Sequence, residues 1–219
     1  MFIELVDALR CPRPHEESWL VLAATRLEAR HVQEGTLGCP VCHAQYPIRD
    51  GIVDLRPLAD ARPAARERDA EEDAALVQRV PALDLAAMLN LADASGFAVL
   101  VGEWGRHAHA LLDLEPVPPL LLVNPPAGVR IVPGLSGVEA GGALPLADGA
   151  ARAVAIDGAG PTQVASGAQV TRAGGRIVAP ARAGVPQGVR ELARDEYVWV
   201  GEREPPAASL VRLHVRRGG

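Results

Sequence analysis

The sequence predicts an α/β chain, with a small N-terminal β module ahead of a mostly parallel sheet that has helices on both faces. Three observations lead there. All three cysteines fall within residues 1–57, among short segments broken by turn signals such as Asp50-Gly51. Residues 58–92 are rich in Ala, Arg, Glu and Asp, the composition of a helical linker. From residue 93 onward, short continuous apolar runs bounded by Gly and Pro alternate with helical stretches, as expected of strands buried on both faces.

The elements follow in order. Pro63 stands near the first turn of a linker helix that Pro81 ends, and a second short helix is expected over residues 83–92. Phe97-Ala-Val-Leu-Val101 is a buried strand, leading through Gly102-Glu-Trp-Gly105 into a helix that includes Ala108-His-Ala-Leu-Leu112. Leu120-Leu-Leu-Val123 is a second strand, stopped by Asn124-Pro-Pro126. Val129-Arg-Ile-Val132 is expected as a third strand and Ala151-Arg-Ala-Val-Ala-Ile156 as a fourth. Residues 161–171 are helical by pattern, and Gly175-Arg-Ile-Val-Ala179 is another strand. Residues 196–201 and 208–215 are expected to close the sheet as an antiparallel pair. There is no internal repeat.

At 219 residues the chain fits one large domain or a small module joined to a medium one. Hydrophobic residues make up 48%, enough for a packed core, although aromatics are only 3% and Ala, Val and Leu dominate. A formal net charge of −5 argues against a surface built to hold nucleic-acid phosphates. Arg212, Arg216 and Arg217 are expected to form a solvated tail. Met1-Phe-Ile-Glu-Leu-Val-Asp7 lacks the basic-then-apolar pattern of a signal peptide. No stretch approaches the roughly 18 apolar residues of a membrane span. The cysteines fit metal binding in a reducing compartment better than a disulfide framework, so a cytoplasmic location is expected.

Tetrahedral zinc takes four soft or borderline ligands, usually as two close pairs from two loops. Cys39-Pro-Val-Cys42 supplies one pair. Cys11 begins the other, but Pro14 stands three residues on, and His15 is the nearest candidate for the fourth ligand. His31 and His43 are poorer candidates, one being distant from both pairs and the other abutting Cys42. Two readings stay open: a structural zinc held by Cys11, His15, Cys39 and Cys42, and a metal-free knuckle held by its apolar core.

Leu5-Val-Asp-Ala-Leu-Arg-Cys-Pro12, Gly38-Cys-Pro-Val-Cys42 and Tyr46-Pro-Ile-Arg-Asp-Gly-Ile-Val-Asp-Leu55 together resemble the Trm112-like zinc-ribbon family over residues 1–57. The resemblance implies a small module that binds and stabilises class I methyltransferases. The departure is Pro14, where the family pattern has its second cysteine.

The second region resembles a class I, S-adenosylmethionine-dependent methyltransferase, a Rossmann-like domain expected over residues 93–219. The resemblance rests on the order of Val99-Leu-Val-Gly-Glu-Trp-Gly105, Leu121-Leu-Val-Asn124, the segment from Leu144 to Ile156, and Arg172-Ala-Gly-Gly-Arg-Ile-Val178. It implies cofactor contacts at Gly102, Glu103, Gly105 and Asn124. The family's acids are missing, however. Val101 precedes the turn, Asn124 ends the second strand, and Ala140 stands where an acid would reach the adenine, with Glu139 one position out of register. Asn124 accepts through one oxygen and without charge, so the ribose would be held more weakly than by a carboxylate. Asp157 is expected to cap the following helix. His107 and His109 lie two apart on a helix and so face different ways. Trp104 and Trp199 are expected as core or interface anchors.

The expected function is therefore a non-catalytic protein-binding or scaffold protein, a pseudoenzyme with no catalytic residues. Its partner is expected to be a protein, by family analogy a methyltransferase or a component of the translation machinery. The alternatives are a divergent methyltransferase that still binds S-adenosylmethionine and is stabilised by its own fused ribbon, and a binder of another nucleotide or metabolite in the same crevice.

Overall fold

The computed structural model describes residues 1–56, 66–92 and 95–205, with residues 66–72 as backbone only. The charged C-terminal cluster, Pro63 and the strand expected over residues 208–215 lie outside the described residues.

The N-terminal module opens with a 3-10 turn, Ile3–Ala8, and continues through four strands: β1 (Val21–Glu28), β2 (His31–Gly38), β3 (Gln45–Arg49) and β4 (Ile52–Asp54). These pair antiparallel in sequence order. Asp50 and Gly51, both in the left-handed region at φ 50° and 77°, turn β3 into β4.

Two helices follow, α1 (Arg66–Arg79) and α2 (Ala82–Met88), broken at Pro81. Their apolar sides, with Leu76, Val77, Val80, Leu85 and Leu89 all buried, pack on the main sheet. The sheet's own strands are β5 (Ala98–Val101), β6 (Leu120–Val123), β7 (Leu135–Glu139), β8 (Ala151–Ala155), β9 (Thr171–Pro180), β10 (Val189–Arg194) and β11 (Val198–Arg203). Between β5 and β6 runs a 3-10 turn, Gly102–His107, that leads into α3 (Ala108–Leu112). The helix α4 (Pro161–Val170) joins β8 to β9.

Among the described residues all eleven strands form one sheet, in the order β1-β2-β3-β4-β7-β6-β5-β8-β9-β11-β10. The segment β7-β6-β5-β8-β9 is parallel and has the 3-2-1-4-5 order of doubly wound folds, which puts a topological switch point between β5 and β8. The junction with the N-terminal module is β4, which pairs parallel with β7: Ile52 faces Gly137, Val53 faces Val138 and Asp54 faces Glu139. The module is thus the continuation of the sheet.

Side chains alternate between two cores, as strands buried on both faces require. Ala98, Leu100, Leu120 and Leu122 point to the face covered by α1, α2 and α3. Val99, Val101, Leu121 and Val123 point to the other face, into a cluster that also holds Leu5, Leu9, Leu37, Ile48, Val53 and Leu55 of the module. This second face has α4 at one end. Next to it, the opening segment of the chain lies where helices between β6 and β8 would otherwise stand. Phe2 N donates to Ser136 Oγ (2.8 Å), Arg10 N to the Pro145 carbonyl (2.9 Å) and Ala147 N to the Ala8 carbonyl (2.8 Å).

Three sequence expectations need correction. Residues 129–132 are not a strand: Val129, Ile131 and Val132 pack half-buried on the helical face, and the third strand is Leu135–Glu139. The last strand among the described residues, β11 at Val198–Arg203, lies between β9 and β10 and pairs antiparallel with both, so the expected pairing of residues 196–201 with 208–215 does not form. Finally, α4 has Gly160 at its N-cap with no side-chain cap, so Asp157 does not cap it.

Candidate functional site

Cys39 ends the run out of β2, and the turn Pro40-Val41-Cys42-His43 returns the chain to β3. His43 N donates to the Cys39 carbonyl (3.0 Å) and Cys39 N to the Ala44 carbonyl (2.9 Å), with His43 in the left-handed region at φ 56°. The opposing loop leaves the sheet at Cys11 and is closed by Cys11 N donating to the Ser18 carbonyl (3.1 Å). That closure swings His15 back over the knuckle.

The ligand atoms of Cys11, His15, Cys39 and Cys42 consequently lie within 4.8 Å of one another. Cys11 Sγ is 3.7 Å from Cys42 Sγ, and His15 Nε2 is 3.4 Å from Cys39 Sγ. With Zn–S near 2.3 Å and Zn–N near 2.0–2.1 Å, a tetrahedron has edges of about 3.8 Å between sulfurs and about 3.6 Å between sulfur and nitrogen. The four groups fit that ion. A disulfide would need about 2.05 Å, and all three cysteines are free thiols.

The surroundings suit the same chemistry. His15 Nδ1 lies 2.6 Å from the Glu16 carbonyl, so a proton there leaves the Nε2 lone pair facing the sulfurs. Burial pushes the Cys39 thiol up, but the amides of Cys42 and Val41 and the neighbouring thiols outweigh it and bring its pKa down to about 6. Tyr46, predicted from sequence only as part of the family string, places its hydroxyl 3.3 Å from Cys11 Sγ. Burial raises both the Tyr46 hydroxyl and the Cys11 thiol. Nothing in the local pattern signals this pairing beyond the tyrosine's place in the strand. His31 is elsewhere, its ring tilted against Phe2 at 5.4 Å and accepting from Gly134 N (3.3 Å).

The other expected site lies at the C-terminal ends of β5 and β6, where doubly wound sheets take their ligands. Gly102 turns the chain there at φ 59°, and Asn124 does the same at φ 52°. The chain's own groups hold each position. Asp157 Oδ2 accepts from Glu103 N at 2.8 Å. Asn124 Oδ1 accepts from Ala140 N at 2.8 Å, which takes one of that oxygen's two lone pairs. A β-carbon on Gly105 would stand 2.9 Å from Pro126 Cδ, which places the proline against that glycine. Glu103 is paired with Arg106 at 2.5 Å, and Glu139 stands 3.8 Å from Arg56. Gly102, Glu103, Gly105 and Asn124, the residues expected to contact S-adenosylmethionine, are each in contact with the chain's own groups.

The two tryptophans expected as anchors are both in the core. Trp104 is fully buried on the helical face beside His107 (6.0 Å), and Trp199 is fully buried on the other face, donating from Nε1 to the Ala183 carbonyl (3.1 Å). His107 Nε2 is 3.2 Å from the Val77 carbonyl, and His109 is exposed. Sequence reasoning missed the Arg182–Asp73 ion pair (2.5 Å), which ties the loop after β9 to α1 with Asp73 buried. No helix among the described residues is long and apolar enough to cross a membrane.

The Trm112p-like protein family model matches residues 3–51 of the chain. No curated protein matches it. Among solved structures, a chain from a complex between the Haloferax volcanii Trm112 methyltransferase activator and a candidate methyltransferase is similar at 12% identity and a TM-score of 0.45. The similarity covers 64% of this chain and 98% of that one.

Proposed function

We propose that the chain is a non-catalytic protein-binding scaffold in which a Trm112-like ribbon, holding one structural zinc, is built into a methyltransferase-like sheet. The observation that carries the reading is the crevice at the ends of β5 and β6. Asp157 is hydrogen-bonded to Glu103 N there, Asn124 to Ala140 N, and Pro126 packs on Gly105. Three contacts that a cofactor would need are made within the chain. A charged hydrogen bond is worth about 1.5–3 kcal/mol, so losing several would remove most of a micromolar affinity.

The zinc would be held by Cys11, His15, Cys39 and Cys42. Four protein ligands leave no open position, so its contribution is to fold the two loops together rather than to activate a substrate. The partner, by analogy with the family matched at residues 3–51, is a protein such as a methyltransferase or a component of the translation machinery. Because β4 is paired with the chain's own β7, such a partner has to use a surface other than that strand edge.

A second reading is favoured by the same β4–β7 pairing: a divergent methyltransferase whose fused ribbon stabilises it from within. Calorimetric titration with S-adenosylmethionine and its demethylated product separates the two. The scaffold gives no heat and no thermal shift. Micromolar binding of either compound would replace the scaffold by the enzyme.

A further inference from the structure

We infer that Asp157 is a built-in occupant of the crevice, its carboxylate seated in the glycine turn after β5 so that the chain closes in cis the place where this sheet architecture receives the anionic part of a ligand. The inference deepens the proposed function and rests on it, since a crevice filled from within is a physical reason for the chain to be non-catalytic.

The turn and the acid are fitted to each other. Asp157 Oδ2 accepts from Glu103 N at 2.8 Å across 54 residues of sequence. Gly102 lies at φ 59°, and a β-carbon there would overlap the Asp157 carboxylate, so the acid occupies the space that only glycine leaves. Asp157 is 9% exposed. Burial raises its pKa to about 6, while the amides of Glu103 and Gly158 pull the other way. A carboxylate buried at such a cost in a ligand-binding crevice is a candidate for a functional rather than a packing role.

The charged groups around it have other partners. Arg182 is directed to Asp73 of α1 (2.5 Å) and Arg106 to Glu103 (2.5 Å), while His107 faces the Val77 carbonyl. Asp73, although paired with Arg182, still raises the pKa of Asp157 through its negative charge. The main favourable contacts of the Asp157 carboxylate are backbone amides, the same donors a bound anion would use.

The test uses the full chain and formate as probe. Asp157→Gly leaves a carboxylate-sized gap against the Glu103 amide, whereas Asp157→Asn keeps an acceptor there without the charge. Formate, and not an equal concentration of chloride, should raise the Tm of Asp157→Gly by several degrees and leave the wild type and Asp157→Asn unmoved. Independently of whether Asp157→Gly folds, the Glu103 amide proton in the wild type should titrate with a midpoint near 6 and stay flat in Asp157→Asn. The amide titration decides: a Glu103 amide indifferent to Asp157 overturns the inference whatever formate does. Neither readout involves S-adenosylmethionine. Binding of that cofactor to the wild type would sink the scaffold reading while leaving the Asp157–Glu103 contact standing, and the reverse result is equally recognisable.

Discussion

In the proposed zinc site the fourth position falls to His15, one residue past the place of the expected cysteine, and its geometry makes up for the shift. Pro14 cannot coordinate, but the loop closed between Cys11 and Ser18 is long enough for His15 to bring Nε2 to 3.4 Å from Cys39 Sγ. His15→Ala should lower zinc affinity at least about tenfold, and His15→Cys should keep tight binding, as measured by competition with a chromophoric chelator. Asp157 gives a second prediction, about pH. Its pKa is raised from the ordinary 3.8 to about 6, burial being the main cause. The folded state therefore holds the proton more tightly than the unfolded chain, so this group's contribution is full below pH 3.8 and is lost as pH rises through 6. Relative to Asp157→Asn, the wild type should lose about 3 kcal/mol between those limits, read from denaturant midpoints at each pH. The metal ligands titrate alike in both proteins and cancel in the comparison. The two pairs, Cys11 with His15 and Cys39 with Cys42, were legible from their close spacing along the chain, whereas the fold brings one pair against the other. Asp157 was not, because its partner Glu103 lies on another strand end and the following Gly-Ala-Gly-Pro161 looks locally like the approach to a helix.

Among the elements, β4 decides how the chain is organised. It is three residues long, yet its pairing with β7 joins the module to the sheet. Gly137 is the close point of that seam: a β-carbon there would meet Ile52 Cγ1 at 2.7 Å. Gly137→Val should destabilise the protein by about 1–3 kcal/mol through overpacking, with amide exchange rising first in β4 and β7. The strands β5, β6, β8 and β9 were legible as continuous apolar runs, as was α4 with Pro161 in its first turn. The strand β7 was not. Leu135-Ser-Gly-Val-Glu139 carries Ser and Gly where strand propensity is low, and the more apolar Val129-Arg-Ile-Val132 drew the assignment instead. Tertiary context explains the exchange: Gly134 at φ 92° turns the chain so that Leu135, not Val129, pairs with Leu120. β10 was missed for a similar reason, its residues being nearly all exposed at the edge of the sheet, without an alternating apolar face to mark them.

For the whole molecule, the composition shifts that divide the sequence do not divide the core. One buried cluster contains Leu9, Leu37 and Val53 of the module together with Val99, Leu121 and Val154 of the main sheet. If the proposed zinc folds the module, it should stabilise the sheet as well, because a shared core is expected to unfold as one cooperative unit. Nothing in local sequence pattern could reveal this, because the β4–β7 contact joins residues some eighty positions apart. The most direct measurement is denaturant unfolding before and after zinc removal with EDTA, followed at once by amides of the module (Leu37, Tyr46) and of the sheet (Leu100, Leu122). Both sets should lose protection at one midpoint, and chelation should lower that midpoint equally for both. A module that melts on chelation while Leu100 and Leu122 keep their protection would contradict it, and so would a midpoint that EDTA leaves unchanged.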